Sequence, residues 1–438
     1  MAVQDPPARA GQLSTMDSVH VSVRAYGRTA RKVRVPAISE RDVVVITPWF
    51  PTRELPFRGS FVQAMVDATA PGCDQMTVYH CDAWVAALDA EAERGVRQAH
   101  HTLLSRALHR TPTVGGADLV FLPVPVPRGL GHAEIAERHD DALRAALGGR
   151  PIQAPVVHAH VGLPSGWAAV RNAGPGTRVF VTEHASFLDK VLETPRGREM
   201  YDEVLHRCAG FLAVGEGVRR PLVEAFPHHA ERIGSISNPI SFDRLRPDPV
   251  TELRRWLFVG ALSELKGVPL LLEAFARCRL EDSSLTLTLV GEGALLASLT
   301  TRAAELGVAD AVTFTGAVPP DQALRLMREH DLLVHPSRKE TFGVAVIEAI
   351  AAGLPVLVTR CGGPERTLAG IKEAAGVMID VTDDPETIVA GYQQLRSRFP
   401  AGLDPALVRK VLSARYGYAA VADTHHRLWF SDEAAPSA

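Results

Sequence analysis

Cysteine pairs, long apolar runs and a dominant charge are all missing from this 438-residue chain. Its five cysteines, Cys73, Cys81, Cys208, Cys278 and Cys361, stand singly, odd in number and never as C-x-x-C. That pattern argues for a reducing cytoplasm, with neither a disulfide frame nor a zinc site expected. Lys and Arg total 47 against 50 Asp and Glu, a formal charge of -3, so no nucleic-acid partner is implied. The longest apolar runs, Val43 to Ile46 and Leu119 to Pro127, fall far short of the roughly 20 residues that cross a bilayer. No apolar stretch of secretory length occupies the first forty residues, so export is not expected and a cytoplasmic location is.

What is present describes a water-soluble globular protein: 46% hydrophobic and 22% charged residues, in a chain long enough for two domains. Residues 1–40 form a polar, Arg-rich extension in which VHVSVRAY and KVRVPAI alternate like short strands without pointing to a role. From Arg41 onward, short β-branched runs alternate with loops and apolar-periodic helices, the pattern of a parallel sheet with crossover helices. The spacing predicts strands at 42–47, 76–81, 155–160, 178–184 and 210–215, then a Pro- and Asp-containing linker at 236–249. A second series follows at 255–260, 285–291, 312–316, 331–335 and 355–359, with helices at 268–278 and 320–330 between its strands. The expectation is an α/β chain of two Rossmann-like, doubly wound units, whose ligands bind beyond the carboxyl ends of the strands.

The loops at those ends carry the candidates. Gly59 and Ser60 open a helix after the first strand, where a glycine allows close approach to a phosphate or simply makes a tight turn. His158 and His160 read as internal hydrogen-bonding residues, whereas His184, ending VFVTEH, faces the cleft as base, donor or packing residue. In FVGALSELKGV, Gly260 ends the strand, Ser263 is a candidate N-cap, and Lys266 sits beside a helix start. Such a lysine suits a diphosphate, although in isolation it also reads as a solvated loop residue. VGEGA at 290–294 is equally unspecific alone, and no G-x-G-x-x-G follows either first strand, which disfavours a nicotinamide enzyme.

KETFGVAVIEAIAAGLP is the sharpest feature. It places Glu340 in a loop, Gly343 at a helix start and Glu348 in that helix's second turn, before Gly353 and Pro355 stop it. Two such carboxylates can hold two parts of one elongated polar ligand, with the helix's first amides between them. An exposed Glu348 is the plain alternative. It fits poorly, because the helix is otherwise apolar all round and a buried carboxylate needs partners.

Taken together, PSRKETFGVAVIEAIAAGLPVLVTRCGGPER, FVGALSELKG, LTLVGEG and VTFTGAVPPDQALRLMREHDLLVHPS resemble, in order and spacing, the retaining glycosyltransferases of family 4. That family has the GT-B fold, two Rossmann-like domains facing a central cleft, and the resemblance covers about residues 42–430. It implies an acceptor-side domain at 41–240, a donor-side domain at 241–413, and a last helix at 414–430 that crosses back onto the first domain. It also implies a nucleotide-sugar donor, most often a UDP-sugar, with Glu348 on the ribose and Glu340 on the transferred sugar. Amides around Phe342, Gly343 and Val344 would meet sugar and diphosphate, Lys266 and Gly260 would line the diphosphate, and Val318 would lie against the base. Gly59 and Ser60 would close over the phosphates, and His184 would reach donor sugar and acceptor.

The implied reaction retains anomeric configuration and needs no metal or other cofactor, and no Asp-x-Asp pair follows a strand. Three features depart from the family pattern: Ala261 stands where arginine is common, so either Arg338 or another residue substitutes or phosphate binding is weaker, the first loop has one glycine, and SNPISF replaces an Asn-Gly hinge. The acceptor is a hydroxyl compound of unread identity: a surface polysaccharide, a lipid-linked sugar or an aminocyclitol-like small molecule. Residues 84–110, with Arg94, Arg97, Arg106 and Arg110 among apolar positions, read as a solvated helix or as peripheral membrane contact. A UDP-sugar 2-epimerase of the same fold and a non-catalytic nucleotide-sugar-binding subunit are the alternatives.

Overall fold

A computed structural model describes residues 38–86, 110–185 and 187–431, with short pieces at 94–95, 97–98 and 100–101. The extension at 1–40 and the 84–110 segment therefore lie almost wholly outside the described residues. Two sheets organise the remainder. The first has eight strands: β1 (Asp42–Thr47), β2 (Gln75–Ala86), β3 (Arg110–Pro112), β4 (Asp118–Pro127), β5 (Val156–His160), β6 (Arg178–Glu183), β7 (Gly210–Ala213) and β8 (Ile233–Ser235). They lie in the order β3-β4-β2-β1-β5-β6-β7-β8, parallel except where β3 meets β4.

The second sheet contains β9 (Arg255–Val259), β10 (Thr286–Val290), β11 (Val312–Gly316), β12 (Leu332–His335), β13 (Val356–Arg360) and β14 (Gly376–Asp380). Its order, β11-β10-β9-β12-β13-β14, is that of a dinucleotide-type doubly wound sheet, with its reversal between β9 and β12. Side chains alternate across it: Trp256 and Phe258 enter one buried cluster, and Leu257 enters the cluster on the opposite face.

All ten expected strands form, but four others escaped the sequence reading. β4 was not among the expected strands, although its span holds the apolar run Leu119 to Pro127, in which Pro123, Pro125 and Pro127 alternate. Pairing explains them: β4 follows β2 along its whole length, whereas β3 reaches only Asp118 to Val120. Beyond Val120 the missing N–H groups, at every second residue, fall on an edge without a partner among the described residues. β3, β8 and β14 are too short, or too interrupted by glycine, to show a period.

The 236–249 segment is not a free tether. Ile240 is buried in the second unit and its amide donates to the Tyr416 carbonyl at 2.8 Å. Beyond that point the Tyr418–Phe430 helix leaves the second unit and adds Leu428 and Trp429 to the first unit's core. Trp429 is fully buried and its indole N–H donates to His158 Nδ1 at 2.9 Å. Its carbonyl accepts from Arg178. Trp429→Ala is therefore expected to destabilise the first unit by about 3–5 kcal/mol, read as a lower urea midpoint in chemical denaturation. Among the described residues, no helix is long and apolar enough to cross a membrane.

Candidate functional site

The reversal between β9 and β12 leaves a crevice at their carboxyl ends, and the loops leaving both strands meet there. β9 exits through Gly260 into a single 3-10 turn, Glu264–Lys266, closed by Gly267 in the left-handed region at φ 68°. A Cβ on Gly267 would lie 2.1 Å from the Pro336 carbonyl oxygen. Only glycine lets the two loops touch here. Ser263 occupies the expected cap position, but its side chain makes no capping bond.

That contact brings Lys266 onto Glu340, 74 residues away, as a hydrogen-bonded ion pair. The same carboxylate oxygen, Oε1, accepts from His335 Nε2 at 2.7 Å. The His335 ring stacks on Phe258, centroids 5.4 Å apart, and its other nitrogen is buried without a partner. Burial opposes ionisation of Glu340, yet the His335 hydrogen bond and the Lys266 ammonium outweigh it and hold the carboxyl down at about 2. Glu340 is thus an anion whose second oxygen is open, and Lys266 is shared between it and whatever enters the crevice.

The helix after this loop spans Val344–Ala352, between Gly343 at φ 83° and Gly353 at φ 100°. Its first bonded amides are those of Val346 and Ile347, both to the Gly343 carbonyl. The amides of Gly343, Val344 and Ala345 make no hydrogen bond among the described residues, leaving an anion-binding helix start. Val344, Ala345 and Glu348 form the helix's least buried stripe, while Val346, Ile347, Ala349 and Ile350 are buried. Glu348 has no cation and no hydrogen bond among the described residues. Desolvation by burial raises its carboxyl to about 7. Glu340 and Glu348 are thus in opposite states, the first held as an anion through one oxygen and the second without donors.

Other expected residues fall nearby or elsewhere. Gly260 lies against the rings of Phe258 and His335. Val318 is 8% exposed, largely within the core cluster under the strand exits. Phe342 is buried with its ring edge-on to Tyr416 at 5.2 Å, so its backbone and not its side chain borders the crevice. Arg338, the cation expected to stand in where Ala261 replaces an arginine, pairs its guanidinium with the exposed Asp383.

The first sheet offers a second constellation at its own reversal, between β1 and β5. Gly59 caps the Ser60–Thr69 helix at φ 75°, and a Cβ there would sit 2.4 Å from the Trp49 carbonyl carbon. The glycine thus serves a close backbone approach, and Ser60 begins the helix. Phe61, next in line, packs on His184 with centroids 4.6 Å apart. His184 Nε2 bonds His160 Nδ1 at 2.9 Å, and His158 bonds Thr182 at 2.7 Å, as expected for internal partners. Burial, then His158 and His425, pushes the His184 ring down to about 3. It is a neutral imidazole whose Nδ1 has no partner among the described residues.

Glu183 was not singled out from the sequence, yet it builds this site. Fully buried at the end of β6, it accepts from the amides of His184 at 2.8 Å, Ala185 at 2.7 Å and Gly162 at 2.8 Å, and from the Tyr201 hydroxyl. Its pull on Gly162 accompanies Val161 at φ 70°, a left-handed β-branched residue of the kind that costs about 1–3 kcal/mol and persists where surroundings impose it. The signal was a lone acid ending an apolar strand. His335 was similarly visible only as the last residue of DLLVH. Gly215, leaving β7, packs against the Thr341 carbonyl, so the loops of the two units meet beside Glu340.

Residues 97–244 match the model for Glycosyltransferase Family 4, and residues 243–397 match that for Glycosyl transferases group 1. A D-inositol 3-phosphate glycosyltransferase of Frankia alni is 30% identical over 257 residues, 52% of this chain and 63% of the relative. Its counterpart in Segniliparus rotundus is 34% identical over 177 residues, 38% of this chain and 37% of the relative. The chain therefore spans about a third to two thirds of the length of these curated relatives. Among solved structures, sucrose-phosphate synthase from Thermosynechococcus elongatus aligns with a TM-score of 0.67 at 18% identity, covering 89% of this chain and 98% of that one. Anabaena HepE, in complex with UDP and glucose, gives 0.62 at 14%, covering 89% and 99%. The two facing parallel sheets are those of the GT-B fold.

Proposed function

This chain belongs to the family-4 glycosyltransferases, and from that premise we propose that it transfers a sugar from a nucleoside diphosphate sugar, a UDP-sugar, to a hydroxyl acceptor with retention of configuration. One observation carries the reading: at the β9/β12 reversal, an open helix start lies between an ion-paired Glu340 and an unpartnered Glu348. A ribose has the vicinal hydroxyls that Glu348 wants, a diphosphate suits Lys266 and the free amides of Gly343 and Val344, and a sugar hydroxyl suits the open oxygen of Glu340. Gly260 would border the diphosphate and Val318 the base.

In this reading the donor domain is 241–413, and the acceptor domain is 41–240 completed by 414–430. Gly59, Ser60 and His184 approach the donor from the acceptor side. A histidine held neutral down to about 3 is a weak base, so it orients the sugar, and the departing diphosphate oxygen takes the acceptor's proton. The protein contributes position and charge stabilisation. A UDP-bearing neighbour, HepE, agrees with this donor class. The test is a panel of nucleotide sugars with and without acceptors, with products read by NMR. The expected result is a new glycoside of unchanged anomeric configuration, formed only with acceptor. An isomerised donor without acceptor would instead identify an epimerase, and binding without turnover a non-catalytic subunit.

A further inference from the structure

At the far end of the first sheet from the crevice lies a cluster that the transfer reading does not use. The Pro227–Arg232 turn leads into the amino end of β8, opposite the ligand-binding carboxyl ends. His228 and His229 leave this turn side by side, ring centroids 4.3 Å apart. Both direct Nε2 at one atom, Asp202 Oδ1 on the Pro195–Arg207 helix, at 2.7 Å from His228 and 3.2 Å from His229. All three ligand atoms lie within 4.8 Å of one another.

His229 supplies the second, independent observation. It is 7% exposed, and its Nε2 is buried without a properly formed hydrogen bond, although it points at the carboxylate. A buried polar atom left unsatisfied is uncommon and calls for a partner. The nearby Arg232 guanidinium is turned onto the carbonyls of His206 at 3.1 Å and Cys208, away from this junction.

We propose that Asp202, His228 and His229 bind a divalent transition-metal ion of the zinc class, which ties the turn before β8 to the Pro195–Arg207 helix. Two imidazole nitrogens and one carboxylate oxygen suit zinc, and the exposed side of His228 leaves the fourth position to water. With bonds of about 2.0–2.1 Å, tetrahedral ligand atoms stand about 3.3 Å apart, so small rotations about the observed separations suffice. The site is structural and lies away from the sugar-transfer crevice.

The test uses the full-length chain, freed of any histidine tag and stripped with a chelator. Calorimetry with zinc chloride and elemental analysis of the dialysed protein are expected to show saturable binding near one equivalent, with a higher melting temperature. His228→Ala, at an exposed position, and Asp202→Asn are each expected to weaken zinc binding roughly tenfold or more and to remove the zinc-dependent shift in melting. Absence of saturable zinc binding at micromolar concentrations, or wild-type affinity in both variants, overturns the proposal. The readout is binding, so it stands apart from the outcome of any transfer assay.

Discussion

Glu348→Gln is expected to make the ligand-free protein more heat-stable at pH 8 while weakening its hold on a nucleotide sugar. In the folded chain burial raises this carboxyl from 4.5 to about 7. A group raised on folding contributes stability below its unfolded value, and that contribution is lost as pH rises through the folded one. Above pH 7 the ionised side chain therefore opposes folding, by at most about 3 kcal/mol at 1.36 kcal/mol per unit. The partial access of Glu348 to the crevice reduces that figure. Melting curves of wild type and variant should coincide near pH 4.5, separate progressively from about pH 5, and be fully apart above about pH 7. Binding runs the other way, because ribose hydroxyls donate to the ionised form. Donor affinity of the wild type should rise with pH across 7, and the glutamine variant should lose both that slope and roughly tenfold or more in affinity. A stable variant with a crippled site is the signature of a residue kept for its ligand.

Glu340 should show the opposite pH signature. Its carboxyl is held down at about 2, so its contribution is present above the unfolded value near 4.5 and is lost as pH falls towards 2. The size is about 3 kcal/mol. Glu340→Gln is expected to lower stability at pH 7 by up to that amount, measured by urea denaturation, with the difference from wild type vanishing in acid. It also frees Lys266 from its partner. UDP alone should then bind at least as tightly as to wild type, whereas sugar transfer falls about a hundredfold or more for want of the group that positions the sugar. Lys266→Ala should do the reverse to UDP, weakening it while the His335–Glu340 bond remains. If both variants weaken UDP equally, the division of labour between sugar and diphosphate is wrong.

The site loops were legible because each follows a strand whose β-branched run is unmistakable, and because Glu340, Gly343 and Glu348 sit within nine residues. Their states were not. That Lys266 reaches Glu340 depends on β9 and β12 being neighbours, a fact of strand order that chain order conceals, and on Gly267 letting the two loops touch. Glu183 escaped notice since its role is to collect backbone amides, which leave no trace in side-chain pattern. β4 escaped because alternating prolines are rare in a strand, and only its single partnered edge, along β2, accommodates them. His158 and His160, in contrast, were read correctly as internal partners, since the strand they end is buried on both faces.

The most direct measurement is calorimetric titration of UDP into the wild type and into Glu348→Ala at pH 8, with circular dichroism confirming that the variant is folded. The account predicts binding at one site in the wild type and a loss of roughly a hundredfold or more in the variant, as two charge-assisted hydrogen bonds of about 1.5–3 kcal/mol each disappear. Equal affinity in a folded variant would contradict the assignment of this crevice to a nucleotide sugar.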